Sequence, residues 1–190
     1  MDQTDDKTKA RALETYLVAS VRLGDRRAVA QLVLLRGPRL YSHAMRLLGQ
    51  ADEARDVVQE AWIDILRGLK GLREEAAFPA WATRIVSRKA ARLIARKQAD
   101  RQTTAALAAE PAPPAQPNAQ DLEAHDLVRL AITGLPAGQS AAIALFYLED
   151  MSVAEVATAL DIPPGTVKTR LMHARRKLRE TLKEVYDDQT

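Results

Sequence analysis

The stretch Ser152-Val-Ala-Glu-Val-Ala-Thr-Ala-Leu160, Asp161-Ile-Pro-Pro-Gly165, Thr166-Val-Lys-Thr-Arg-Leu-Met-His-Ala-Arg-Arg-Lys-Leu-Arg179 decides the fold. Ser152 suits a helix N-cap, and Glu155 three residues later completes a capping box. Val153, Val156, Ala157 and Leu160 then face inward at helical spacing. Two prolines and a glycine make the next five residues a tight turn. Beyond it, Val167, Leu171, Ala174 and Leu178 fall at i, i+4, i+7 and i+11 and form a buried stripe. A short helix, a turn and a second helix loaded with cations is the layout of a helix-turn-helix whose second helix enters a DNA major groove. Thr166, Lys168, Thr169, Met172, His173 and Arg176 are its candidate DNA-facing residues, with Arg170, Arg175 and Arg179 as flanking phosphate contacts. The competing reading is a solvated helix of a non-binding bundle; turn, cap and charge together disfavour it.

Upstream, the chain is also helical in character. Hydrophobic residues make up 47% of its 190 residues and aromatics only 4%, with Ala, Leu and Arg prominent, which favours helices over sheets. It has no cysteine, so disulfides, thiolate metal sites and thiol catalysis are excluded. His43, His125 and His173 are too scattered for a metal cluster. No catalytic constellation or phosphate-binding loop stands out, so neither an enzyme nor a cofactor site is expected. No N-terminal signal and no apolar run near membrane-spanning length is evident, so a soluble, cytoplasmic chain without membrane contact is expected.

Net charge is only +3, but it is unevenly spread. Arg84, Arg88, Lys89, Arg92, Arg96, Lys97 and Arg101 lie close together against a single Asp100, and a second basic run lies between residues 168 and 183. Two basic patches on two helical units suggest two polyanion contacts. Between the units, residues 102–120 hold Pro111, Pro113, Pro114 and Pro117 and little that packs. As an extended tether these residues would span at most roughly 63 Å, enough for both units to engage one promoter-length duplex. The expected architecture is all-α: a helical bundle over residues 7–101, a flexible linker over 102–120 and a helix-turn-helix domain over 121–187.

Within the first unit, helices are expected over residues 7–22 and 26–48, the second bent or broken at Gly37-Pro38. Asp52 is the expected N-cap of a third helix over 53–69. There Ala54, Val57, Val58, Ala61, Trp62, Ile65, Leu66 and Leu69 make one apolar stripe. Opposite it run Glu53, Asp56, Glu60 and Asp64, with Gln59 and Ile63 beside them. A hydrophobe set among acids suits a protein interface, although a solvated acidic face is equally compatible with the pattern. Residues 70–78 are expected as a loop and Pro79 in the first turn of a helix to about Ala99. On that helix Trp81, Ile85, Ala91 and Leu93 are the inward candidates, Trp81 as a core anchor.

These blocks resemble the extracytoplasmic-function sigma factors, the compact class of bacterial RNA polymerase specificity subunits. The first unit is similar to sigma region 2 in Pro38-Arg-Leu-Tyr41, Leu47-Leu-Gly49, Asp52-Glu-Ala-Arg-Asp-Val-Val-Gln-Glu60, Phe78-Pro-Ala-Trp81 and Arg84-Ile85. The second is similar to region 4 in Leu135-Pro136, Val153-Ala-Glu-Val-Ala157 and Gly165-Thr-Val-Lys-Thr-Arg-Leu171. The resemblance implies a non-catalytic function in promoter-specific initiation. It implies that Glu53, Asp56, Gln59, Glu60, Ile63 and Asp64 bind the coiled-coil clamp helices of the polymerase largest subunit. It further implies that the 70–78 loop and following helix, with Lys70, Arg73, Arg84, Arg88, Lys89, Arg92 and Arg96, recognise and open the −10 element. The last helix would read the −35 element, its domain seated on the flap of the second-largest subunit, and an anti-sigma factor is an expected further partner. Arg88 stands where the family often has Asn, Arg92 where it often has Asp, His173 where Arg is common and Gln139 where Arg is frequent. Two other readings share part of the pattern. A sigma-like decoy for an anti-sigma factor needs no intact recognition helix, and a dimeric helix-turn-helix repressor leaves the first unit unexplained.

Overall fold

Eight α-helices, two short 3₁₀ turns and no strand make up the described residues, 3–104 and 124–187, of the computed structural model. The helices are α1 (Gln3–Arg22), α2 (Arg26–Leu48), α3 (Ala51–Gly68), α4 (Phe78–Thr104), α5 (Ala124–Thr133), α6 (Ala137–Tyr147), α7 (Val153–Leu160) and α8 (Pro164–Asp187). The expected linker begins too early at residue 102, because α4 continues through Thr104; the remainder of that linker, 105–120, lies outside the described residues.

Local chemistry explains most helix ends. Asp25 caps α2 by accepting from the backbone N–H groups of Arg27 at 2.8 Å and Ala28 at 3.4 Å. Gly49, at φ 71°, closes the helix by donating to the Met45 carbonyl. The expected break at Gly37-Pro38 does not occur: α2 runs unbroken. Pro38 and Leu34, whose carbonyl loses its usual donor, both lie on the exposed side of the helix. Asp52 is not the α3 cap either. The helix starts at Ala51 behind Gln50, and Asp52 in the first turn pairs with Arg55 at 2.9 Å, its charge set against the helix N-terminus.

The first core joins α1–α4. It contains Leu17, Val18, Leu32, Leu40, the α3 stripe from Ala54 to Ile65, Leu69, Phe78, Ala82, Val86 and Ala90. Leu66, expected in the stripe, is 37% exposed. The α4 inner face is set by Phe78, Ala82, Val86 and Ala90 at four-residue steps, which leaves Ala91 outside and Trp81, Ile85 and Leu93 half-buried at its margin. Trp81 lies close over Gly68: a Cβ there would sit 3.0 Å from the indole, so a larger residue would need the ring to shift by a few tenths of an ångström. The second core, from α5–α8, gathers Ile132, Leu135, Ala142, Ile143, Leu145, Met151, Val156, Ala157, Ala159, Val167, Leu171 and Ala174. The capping box forms as expected, with Ser152 and Glu155 bonding reciprocally at 2.7 and 3.2 Å.

The two helical units are packed together, α4 lying against α7 and α2 against α6. His43 is buried at this seam. Its Nε2 lies 2.8 Å from Ser87 Oγ, and Ser87 donates at 2.7 Å to the Ala159 carbonyl at the end of α7. Since the only Ser87 hydroxyl proton is used there, His43 is the donor of the other bond. Burial, with Arg46 and Arg36 nearby, depresses its pKa from 6.5 to about 3. A depressed folded-state pKa gives stability that is present above pH 6.5 and lost as pH falls towards 3. Denaturant unfolding should therefore show the wild-type chain losing about 2 kcal/mol more than a His43→Gln variant between pH 7 and pH 5. Equal losses would mean that His43 is solvated.

Candidate nucleic-acid interface and acidic ridge

On α8, Val167, Leu171 and Ala174 are buried and orient the opposite face outward. Thr166, Lys168, Thr169, Met172 and Arg176 are exposed and His173 is half-buried. Thr169 Oγ1 donates to the Gly165 carbonyl at 3.1 Å, which fixes its rotamer. Two expected contacts turn aside. The Arg170 guanidinium lies flat against α6, its Cζ 3.0 Å from where a Cβ on Gly138 would be. Arg175 covers the Phe146 and Tyr147 rings at 5.9 and 5.7 Å. The outward set is therefore narrower and more uniform than the sequence suggested.

On α3, Asp56, Gln59 and Ile63 are exposed, Ile63 by 48%. The other acids of the ridge are already engaged. Glu53 pairs with Lys97, and Lys89 bridges Glu60 at 3.3 Å and Asp64 at 2.8 Å. Hydrogen bonding to Lys89 is the main cause holding the Asp64 carboxyl below its ordinary range, and the same bond raises the Lys89 pKa. Lys89, grouped by sequence with the −10 cations, thus faces the acidic ridge instead.

The remaining cations of that group divide. Lys70, Arg73, Arg92 and Arg96 are exposed. Arg84 and Arg88 are not free: both clasp Asp161, the residue that ends α7 at φ 56°. Arg84 reaches Oδ1 through Nε at 3.0 Å and Nη2 at 2.7 Å, and Arg88 Nε reaches Oδ2 at 2.9 Å. These bonds, Arg88 first and Arg84 next, lower the Asp161 pKa.

The group that anchors this seam is absent from the sequence-based expectations. Arg36 is 2% exposed. Its Nη2 donates to the Pro79 carbonyl and Thr83 Oγ1, both at 3.3 Å, and its Nη1 to Glu149 at 3.3 Å, while Nε lies 3.7 Å from Glu14. Burial lowers its pKa and raises that of Glu14. Arg39 joins Glu149 at 3.5 Å, and Arg11 ties Glu155 at 3.1 Å. The sequence does carry a signal for it: Leu32, Arg36, Leu40 and Ala44 recur every four residues, so Arg36 occupies a core position of α2. Among the described residues, no group of side chains could hold a metal ion, and no helix is long and apolar enough to cross a membrane.

A four-helix unit with an acidic ridge and basic α4, followed by a helix-turn-helix unit, is the architecture of a two-region sigma subunit. Residues 32–100 match sigma-70 region 2, and residues 125–178 match sigma-70 region 4. The chain is 32% identical over 182 residues to the RNA polymerase sigma-H factor of Pseudomonas aeruginosa, covering 89% of this chain and 93% of that protein. It is 28% identical over 180 residues to the sigma factor SigW of Bacillus subtilis, covering 88% and 96%. Among solved structures, it superposes on RpoE of Bartonella quintana, crystallised with the anti-sigma factor NepR. That match has a TM-score of 0.65 and 25% identity, over 81% of this chain and 96% of that one. It also superposes on CnrH bound to the cytosolic domain of CnrY, with a TM-score of 0.61 and 25% identity over 90% and 98%. The chain belongs to the extracytoplasmic-function sigma factors of the sigma-70 family.

Removing the Lys89 ammonium by Lys89→Met should raise the Asp64 carboxyl pKa towards the ordinary range, followed by carbon-detected NMR titration. No movement would show that the pair does not persist in solution.

Proposed function

We propose that this chain joins core RNA polymerase as a non-catalytic specificity subunit in the cytoplasm and directs initiation at promoters with −10 and −35 elements. The observation that carries this reading is the arrangement of α8. Its apolar stripe is locked into the second core while Lys168, Thr169, Met172 and Arg176 face out together. In this reading residues 7–101 and 121–187 are the region 2 and region 4 units. The ridge residues Glu53, Asp56, Gln59, Glu60, Ile63 and Asp64 serve the largest subunit, with Ile63 supplying the apolar centre of a charged patch. Glu53, Glu60 and Asp64 arrive already paired, so Asp56 is the acid with charge to offer.

An apolar groove of about 650 Å³ between α5, α6 and α8 supports docking to the second-largest subunit. Ile132, Ile143, Tyr147 and Leu178 line it, and Arg175, Arg179 and Lys183 rim it. Lys70, Arg73, Arg92 and Arg96, joined by Arg84 and Arg88 when they are released, serve the −10 strand; base extrusion there costs a few kcal/mol, offset by phosphate contacts. A regulator of the anti-sigma class fits as a further partner, since RpoE and CnrH were each solved with a bound anti-sigma factor or cytosolic partner domain.

Run-off transcription tests this directly. Core enzyme with the chain should yield RNA from defined start sites across a promoter library, and Asp56→Lys should lower the yield through weaker core binding while the fold is retained. Silence from the wild-type chain would reject the reading. On a mapped promoter, Lys168→Ala should cost roughly 1–3 kcal/mol of binding to the holoenzyme at one −35 position and relax specificity there, with a smaller effect for His173→Ala. A uniform loss on all sequences would reassign both to phosphate contact.

A further inference from the structure

We propose that Asp161 is an internal latch that holds the chain closed by occupying two of its own DNA-binding arginines, and that a nucleic-acid phosphate opens the chain by competing for them. The proposal rests on the region 2 role assigned to Arg84 and Arg88 above.

Three observations converge. First, the latch is built from functional surfaces on both sides. Asp161 ends α7 in the turn that leads into α8, the helix whose N-terminal residues meet base edges in a helix-turn-helix, and it accepts three hydrogen bonds from Arg84 and Arg88 on α4. While those bonds stand, α4 and the turn occlude each other and neither can meet a duplex on that side. Second, the seam is reversible in composition. Each unit keeps its own apolar core, and Ala80 is the one residue of α1–α4 within the second core among the described residues. Beside it the seam carries polar contacts: Ser87 to the Ala159 carbonyl, Arg36 and Arg39 to Glu149, and Arg11 to Glu155. Opening exposes groups that water can satisfy, and Arg36 keeps Glu14, Thr83 and the Pro79 carbonyl on its own side. Third, the competitor is chemically matched. A phosphate diester offers the same pair of anionic oxygens to a guanidinium as a carboxylate does, so Arg84 and Arg88 can exchange one for the other without changing their hydrogen-bond type. The exposed cations Arg92 and Arg96 sit further along α4 and give an incoming strand its first foothold.

The absence of cysteine allows specific labelling. Cysteines placed at the exposed positions Arg55 on α3 and Lys177 on α8 carry a fluorophore pair that reports the separation of the two units in the full chain. At low salt the wild-type chain should give one narrow, short-distance population, and a short oligo-dT should move it to longer distances. Asp161→Asn keeps a residue that tolerates the left-handed backbone and removes the charge. It should raise the open fraction and, because apparent affinity scales with that fraction, tighten oligo-dT binding roughly fivefold. Asp52→Asn, an equal charge change at an exposed site outside the seam, should alter neither. Adding Glu149→Gln to Asp161→Asn should widen the open population further. A distance distribution unchanged in both variants overturns the latch. Opening without tighter oligo-dT binding overturns the competition with phosphate. Neither outcome bears on run-off transcription, so the specificity-subunit reading stands or falls separately.

Discussion

The guanidinium of Arg36 is the point at which four parts of this molecule are tied together. From α2 it reaches Glu14 on α1, the Pro79 carbonyl and Thr83 on α4, and Glu149 just beyond α6. A buried cation is tolerated only when its charge and its donors are matched, and removing one partner of such a group commonly costs about 3–5 kcal/mol. Glu14 and Glu149 both face this cation, Glu149 is shared with Arg39, and burial raises the pKa of Glu14. The first turn of α4 is thereby fixed against α2. Everything α4 does later, from contacting α7 to displaying its cations, depends on that placement.

Features set by local chemistry are legible in the sequence. The Ser152–Glu155 capping box, the Val167-Leu171-Ala174 stripe and the α3 stripe from Ala54 to Ile65 all depend on neighbours within a few turns, and all of them form. Features set by distant partners are not. Arg36 meets Glu149 across 113 positions, Ser87 meets Ala159 across 72, and Arg84 meets Asp161 across 77. Nothing in the spacing of one helix states which distant carbonyl or carboxylate it will face. The continuity of α2 through Pro38 has a related cause. Proline removes a donor and crowds the preceding turn anywhere, but whether the helix breaks or continues depends on its surroundings, and that is a tertiary property.

Charge counting illustrates the same limit more sharply. Seven cations between residues 84 and 101 read as one polyanion patch. Folded, Lys89 and Lys97 turn to the acidic ridge and Arg84 and Arg88 to Asp161, while Arg92 and Arg96 remain outward. The ridge is correspondingly muted, since Glu53 holds Lys97 while Glu60 and Asp64 share Lys89. One helix thus serves as the internal counter-ion for two acidic surfaces. Its positive field is spent partly inside the molecule, which weakens long-range attraction to DNA by the isolated chain.

The contrast between α4 and α8 then has a mechanical meaning. On α8 the outward side chains Lys168, Met172 and Arg176 project from a helix whose rotation is fixed by three buried residues. That surface is complete in the closed arrangement. On α4 two of the outward arginines are complete only when the other unit has moved away. In the proposed reading, such a chain keeps the outer face of α8 exposed but withholds Arg84 and Arg88 until Asp161 lets go. Because the Asp161 pairs with Arg84 and Arg88 are solvent-accessible, their strength falls with ionic strength and with the local concentration of phosphate, whereas the Arg36–Glu149 pair is largely buried and the Ser87–Ala159 bond is buried. The same DNA that the molecule is shaped to bind is therefore the agent best suited to loosen the Asp161 pairs.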